Sequence, residues 1–111
     1  ALGTCTQVSV RPRRFSEDEL SAARVLQNRL NCECPRHITD LIRALASFEE
    51  YSATCSVENW HDAAVHSCIY AYTSQARWLM EKALGAVLEE HADDFAETLR
   101  AQQGGRLNDA A

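Results

Sequence analysis

The chain has 111 residues, with 11 basic and 16 acidic side chains and a formal net charge of −5. That length fits a single domain of ordinary size. Four Gly, two Pro and 46% apolar residues argue against disorder, collagen and a turn-rich β-sandwich. No apolar run approaches the ~20 residues of a bilayer span, and no signal-peptide pattern is present. These features lead us to expect a compact, acidic, cytoplasmic protein without a membrane partner. The five cysteines are an odd number, so they cannot all pair within the chain.

Residues 1–14 hold three Arg and no acid, so the overall −5 conceals a body at −8. An acidic body is a poor surface for phosphate backbones. The arm at 1–14 therefore reads as a linker or flexible arm, and it is the one stretch basic enough for nucleic acid. Its linker character and the Ala at position 1 suggest a segment of a longer protein.

The first helix is expected after Phe15. Ser16, with Glu19 three residues later, forms a capping box. Leu20, Ala23, Leu26 and Leu30 follow at helical spacing, and 31–34 interrupt the pattern. Pro35 opens a second helix, since Pro suits a first turn and drives the preceding residue out of the α region. Ile38, Leu41, Ile42, Leu45 and Phe48 line that helix to about Cys55.

After a break at 56–58, the longest helix is expected over about Asn59 to His91. Val65, Ile69, Tyr72, Ala76, Leu79, Ala83 and Val87 form one broad face. Gly85 is a candidate bend within it. A last helix from Ala92 to about Gln102 carries Phe95 and Leu99, and 103–111 read as a flexible tail. Short connections imply antiparallel packing. The expected fold is all-α, an antiparallel bundle of three to four helices over 15–102 with one long helix. Apolar residues on more than one side of that helix suggest a homodimer.

The densest chemistry is Cys32-Glu33-Cys34-Pro35-Arg36-His37. Two thiols and an imidazole at a helix start could ligate a soft or borderline metal. They could instead sense redox state, because helix N-terminal amides favour a thiolate. On that reading Cys34 is the more thiolate-like, with His37 one turn away. A Cys-Pro haem ligand and plain buried thiols at a turn are the other readings. Cys55, His61, His66 and Cys68 are further candidates.

Distance limits how these residues combine. In one continuous helix His37 and Cys55 stand about 27 Å apart. Across an antiparallel hairpin His37 should face 77–81. Asp62 and His66 share a helix face. Glu58-Asn59-Trp60-His61 has the Glu-x-x-His spacing of di-iron bundles but no second copy. No phosphate loop, hydrolase elbow or paired-carboxylate site is present, so no enzyme is expected.

The run Arg13-Arg14-Phe15, the hexapeptide 32–37 (CECPRH), the segment 48–55 (FEEYSATC) and Asp62-Ala63-Ala64-Val65-His66 resemble a helical module. That module is the C-terminal region of some proteobacterial MerR-type transcriptional regulators. The resemblance covers about residues 12–91 and implies a cytoplasmic, dimer-forming regulatory domain. Such a domain would lie C-terminal to a DNA-binding helix-turn-helix, in some cases with a cobalamin-binding-like domain. DNA would then be reached only through a domain not present in this chain. The family pattern includes Cys32, Cys34, Cys55 and His66. With His37, these make up the expected metal set, for a zinc ion or an iron–sulfur cluster. The Trp-x9-Glu-His cap of some cobalamin photoreceptors is not matched, because eleven residues separate Trp78 from Glu90-His91. The function expected is a sensory or dimerisation module responding to metal or redox state. The alternative is a plain dimerisation bundle with buried thiols.

Overall fold

The computed structural model describes residues 10–54 and 60–110, and side chains over 10–54 and 63–104. The described residues form four helices and no strand. We label them α1 (Glu17–Val25, followed by a 3-10 turn over Leu26–Asn28), α2 (Cys34–Thr54), α3 (Trp60–Glu90) and α4 (Ala92–Ala110). The all-α antiparallel bundle is therefore the observed fold. Among the described residues, no helix is long and apolar enough to cross a membrane.

The capping box forms as the sequence requires. Ser16 Oγ accepts the Glu19 N–H at 3.1 Å, and the Glu19 carboxylate accepts the Ser16 N–H at 2.9 Å. Two otherwise orphaned donors are thereby satisfied at the start of α1. Exposed ion pairs then fix α1 across α2: Arg24 with Asp40 at 2.8 Å, and Arg43 with Glu17 at 2.7 Å. Arg24 holds the Asp40 carboxyl below its ordinary value, chiefly by its hydrogen bond. On the other side of the 3-10 turn, Arg29 reaches Glu97 of α4 at 2.8 Å.

The core is small. Leu20, Ala23 and Leu26 of the first helical segment meet Ile42 of α2 and Leu84 and Leu88 of α3, with Phe15, Leu30, Ile38, Met80 and Phe95 packed around them. Leu26 and Leu84 are fully buried. Removing area of this kind from water contributes roughly 25 cal/mol per Å².

Three expectations need correction. First, α3 is unbroken through Gly85, so that glycine is not a bend. Second, α4 runs as helix to Ala110, past the tail expected from 103. Third, the face of α3 drawn from its apolar period points outward: Val65, Tyr72 and Leu79 are about half exposed, as are Leu41 and Phe48 of α2. The inward positions of α3 include Ser74, Arg77 and Glu81, each at most 1% exposed. A buried ion cluster, described below, takes the place expected of an apolar stripe.

The pairing of α2 with α3 is antiparallel but shifted from the expected register. Glu49 meets Arg77, and Pro35 lines the same groove as His91. Both pairs are centred at about residue 63, not at the break at 56–58. His37 is therefore level with about residue 89 rather than 77–81. The first turns of α3, to about Tyr72, extend past Thr54 where α2 ends.

Candidate functional site

Two polar sites are built on this frame, one buried and one exposed. The buried site centres on Arg77, whose side chain is 1% exposed. Its Nε donates to Glu49 Oε1 at 2.6 Å. Nη1 donates to Glu81 Oε1 at 2.7 Å and to the Pro12 carbonyl at 3.1 Å. Nη2 donates to the Arg11 carbonyl and more weakly to Ser74 Oγ at 3.4 Å. All five guanidinium donors are used, as a buried guanidinium needs.

The arm over 10–14, expected to be a linker, is a strap across this cluster. The Arg11 N–H donates to Ser74 Oγ at 2.7 Å, and the Arg14 N–H donates to Glu81 Oε2 at 3.1 Å. The Arg11 guanidinium lies 4.2 Å from the Trp78 ring centroid, a cation–π contact. One of the arm's charges, that of Arg11, is therefore engaged with α3 itself. The Arg14 guanidinium lies where a side chain at position 85 would stand: a Cβ on Gly85 would be 2.6 Å from Arg14 Nη2. The inward Gly85 leaves room for the strap.

Sequence reasoning missed this cluster. Arg77 and Glu81 are four apart, which on a helix reads as an ordinary surface pair. The only hint was their position opposite the row of exposed apolar residues.

The exposed site is the turn into α2. Cys32 and Cys34 are free, exposed thiols. The Cys34 N–H, at the start of α2, donates to Cys32 Sγ at 3.4 Å. That hydrogen bond, and a second from the Cys34 side chain, lower the Cys32 thiol below its ordinary value. Cys34 is raised, first by its side-chain bond to Cys32 and then by the Cys32 charge. This reverses the expectation for the pair: Cys32 is the thiolate-like member. The physical reason is positional. The open amide of the helix start points back to the residue two before it, so the charge it favours is on Cys32.

Of the expected metal ligands that lie among the described residues, the structure brings together only Cys32 and Cys34. His37 turns to Glu33, with Nε2 3.5 Å from its carboxylate; Arg36 binds the same residue at 3.2 Å. His66 is on α3, 21 residues before Val87, which lines the groove beside Cys34; that is about 32 Å along the helix. Cys55 lies outside the described residues, as do Cys5, Glu58 and the His61 side chain. Cys68 is disulfide-bonded. Among the described residues, no group of three His, Cys, Asp or Glu is placed to hold a metal ion.

The thiols border an open groove of about 690 Å³ between the α2 turn and the end of α3. Leu30, Pro35, Ala86 and Val87 give it a largely apolar wall, and Glu90 and His91 also line it. An exposed pair of unlike thiols on such a groove can carry out two-electron thiol oxidation without a third ligand.

No family model, curated protein or solved structure matches the chain.

Proposed function

We propose that this chain is a non-enzymatic, dimer-forming sensory module of a bacterial transcriptional regulator, and that Cys32 and Cys34 are its redox-sensing element. The observation that carries the proposal is the Cys34 N–H bond to Cys32 Sγ in an exposed pair. Metal sensing is the less supported form of the idea, because His66 is remote and no third ligand is grouped with the two thiols among the described residues. The assignment to a regulator rests on the resemblance of residues 12–91 to MerR-type modules.

The chemistry needs a hydroperoxide as oxidant. The Cys32 thiolate attacks the distal oxygen, the O–O bond breaks, and Cys32 sulfenic acid and an alcohol or water are formed. The Cys34 sulfur then attacks the Cys32 sulfur, its proton leaves with the hydroxyl as water, and a Cys32–Cys34 disulfide results. Two thiols give up two electrons to the peroxide. The disulfide would remove the Cys34 hydrogen bonds to Cys32 and re-form the entry to α2. That turn lies beside the end of α3, so the packing of the two helices would change there.

The test is stoichiometric hydroperoxide treatment followed by peptide mass spectrometry. A Cys32–Cys34 disulfide in the wild type, and a trapped Cys32 sulfenic acid in Cys34→Ser, is the expected result. Oxidation that leaves both thiols free, or that falls on Cys34 first, would refute the proposal.

A further inference from the structure

The outward face of α3 repeats as a coiled-coil seam. Val65, Tyr72 and Leu79 are seven residues apart and 46%, 50% and 53% exposed. Ile69, Ala76 and Ala83 each follow four residues later, and Ala86 comes three after Ala83. Alternating steps of four and three define the apolar seam of a heptad repeat. No charged residue occupies it between Val65 and Ala86.

The seam belongs to a wider face. The strap covers α3 at Ser74, and Tyr72 lies about 160° around the helix from that residue. On α2, Arg43 binds α1, and Leu41 and Phe48, each 45% exposed, lie roughly 140–160° from it. In an antiparallel pair of right-handed helices, the strap and α1 then cover one face of the α2–α3 layer. The seam, Leu41 and Phe48 share the other.

We infer that a second copy of this chain docks here, with the two α3 helices antiparallel. This rests on the dimeric reading proposed above and gives it a surface and a geometry. The argument is the order of side-chain sizes. The large residues Ile69 and Tyr72 precede the midpoint of the seam, and the small residues Ala83 and Ala86 follow it. A two-fold axis between Ala76 and Leu79 sets Ile69 against Ala86 of the second copy, Tyr72 against its Ala83, and Leu79 against its Ala76. In these three pairs a large side chain meets a small one, which gives the close packing that interiors require, while Val65 lies at the end of the overlap, level with Glu90 of the second copy. A parallel dimer sets Tyr72 on Tyr72 and Ala83 on Ala83, crowding one end and leaving a void at the other. The five half-exposed large side chains of this face offer roughly 450 Å² per copy, which with the alanines between them matches the low end of specific interfaces, where weak dimers lie.

The experiment combines sedimentation equilibrium with photocrosslinking on the whole chain. The wild type is expected to be a dimer. Tyr72→Glu and Leu79→Glu should each raise the dimer Kd about 100-fold while leaving helical circular dichroism unchanged, because both residues are exposed. With p-benzoylphenylalanine at position 72, the crosslinked peptide should contain Ala83. A wild type monomeric at about 100 μM, where even weak specific dimers form, overturns both the seam and the dimeric reading. A dimer that both Glu variants leave intact, or that crosslinks position 72 to the segment around position 72 of the second copy or to a segment of its own chain, overturns the antiparallel seam and leaves the dimeric reading standing.

Discussion

The Arg77 cluster and the thiol turn are both polar, and both lie along the α2–α3 pair, yet the fold treats them in opposite ways. Arg77, Glu49 and Glu81 are at most 2% exposed, and every Arg77 donor is taken. Cys32 and Cys34 are exposed and unlike each other, and only the turn itself holds them. Groups buried with a full set of partners specify a structure, because any change leaves a charge without compensation. Groups left at a helix start keep capacity for reaction, because water and a solute can still reach them. The first site fixes where the strap and helices lie, and the second is free to change state without the core being rebuilt.

The largest effect is expected at the buried site. Arg77→Leu leaves the Glu49 and Glu81 carboxylates facing each other in the interior, and loss of one partner from a buried ion cluster costs about 3–5 kcal/mol. Urea denaturation should show that loss, and adding Glu49→Gln and Glu81→Gln should recover part of it. A small loss in the single variant would mean that the cluster does not hold the strap. Gly85→Ala is a smaller test with the opposite sign. Alanine gains up to about 1 kcal/mol of helix propensity. Its Cβ would strike only the far end of the Arg14 side chain, which can swing into solvent. The expected outcome is a modest rise in the unfolding midpoint with the Arg77 cluster intact. A fall would show that the Arg14 guanidinium has nowhere else to go.

Much of the fold can be read from local signals. Ser16 and Glu19 mark the start of α1, Pro35 marks the first turn of α2, which begins one residue earlier than expected, at Cys34, and the helical periods give the element count. These features are local because caps and prolines act within one turn. What failed was long-range. The apolar row of α3 reads as its inner face only if the inner face is apolar, and here a satisfied Arg77 occupies it. The row itself, Val65, Tyr72 and Leu79, is real but outward. The register could not be read from the break at 56–58, because α3 extends past the end of α2 before the two helices pair. At the thiol turn the sequence shows which residues meet, but not which sulfur the amide addresses. That depends on the backbone direction at Glu33 and Cys34.

The account rests most on the inequality of the two thiols, and pH-resolved alkylation tests it directly. Protein pulsed with iodoacetamide across a pH series and read by peptide mass spectrometry reports each cysteine separately. Thiolate is the reactive form. Cys32 should therefore be modified first, with its rate midpoint below the ordinary cysteine value, where the Cys34 amide holds its charge. Cys34 should lag, with its midpoint above that value, because the Cys32 charge opposes its ionisation. Equal rates for the two cysteines, or a Cys34 that reacts first, would contradict the account.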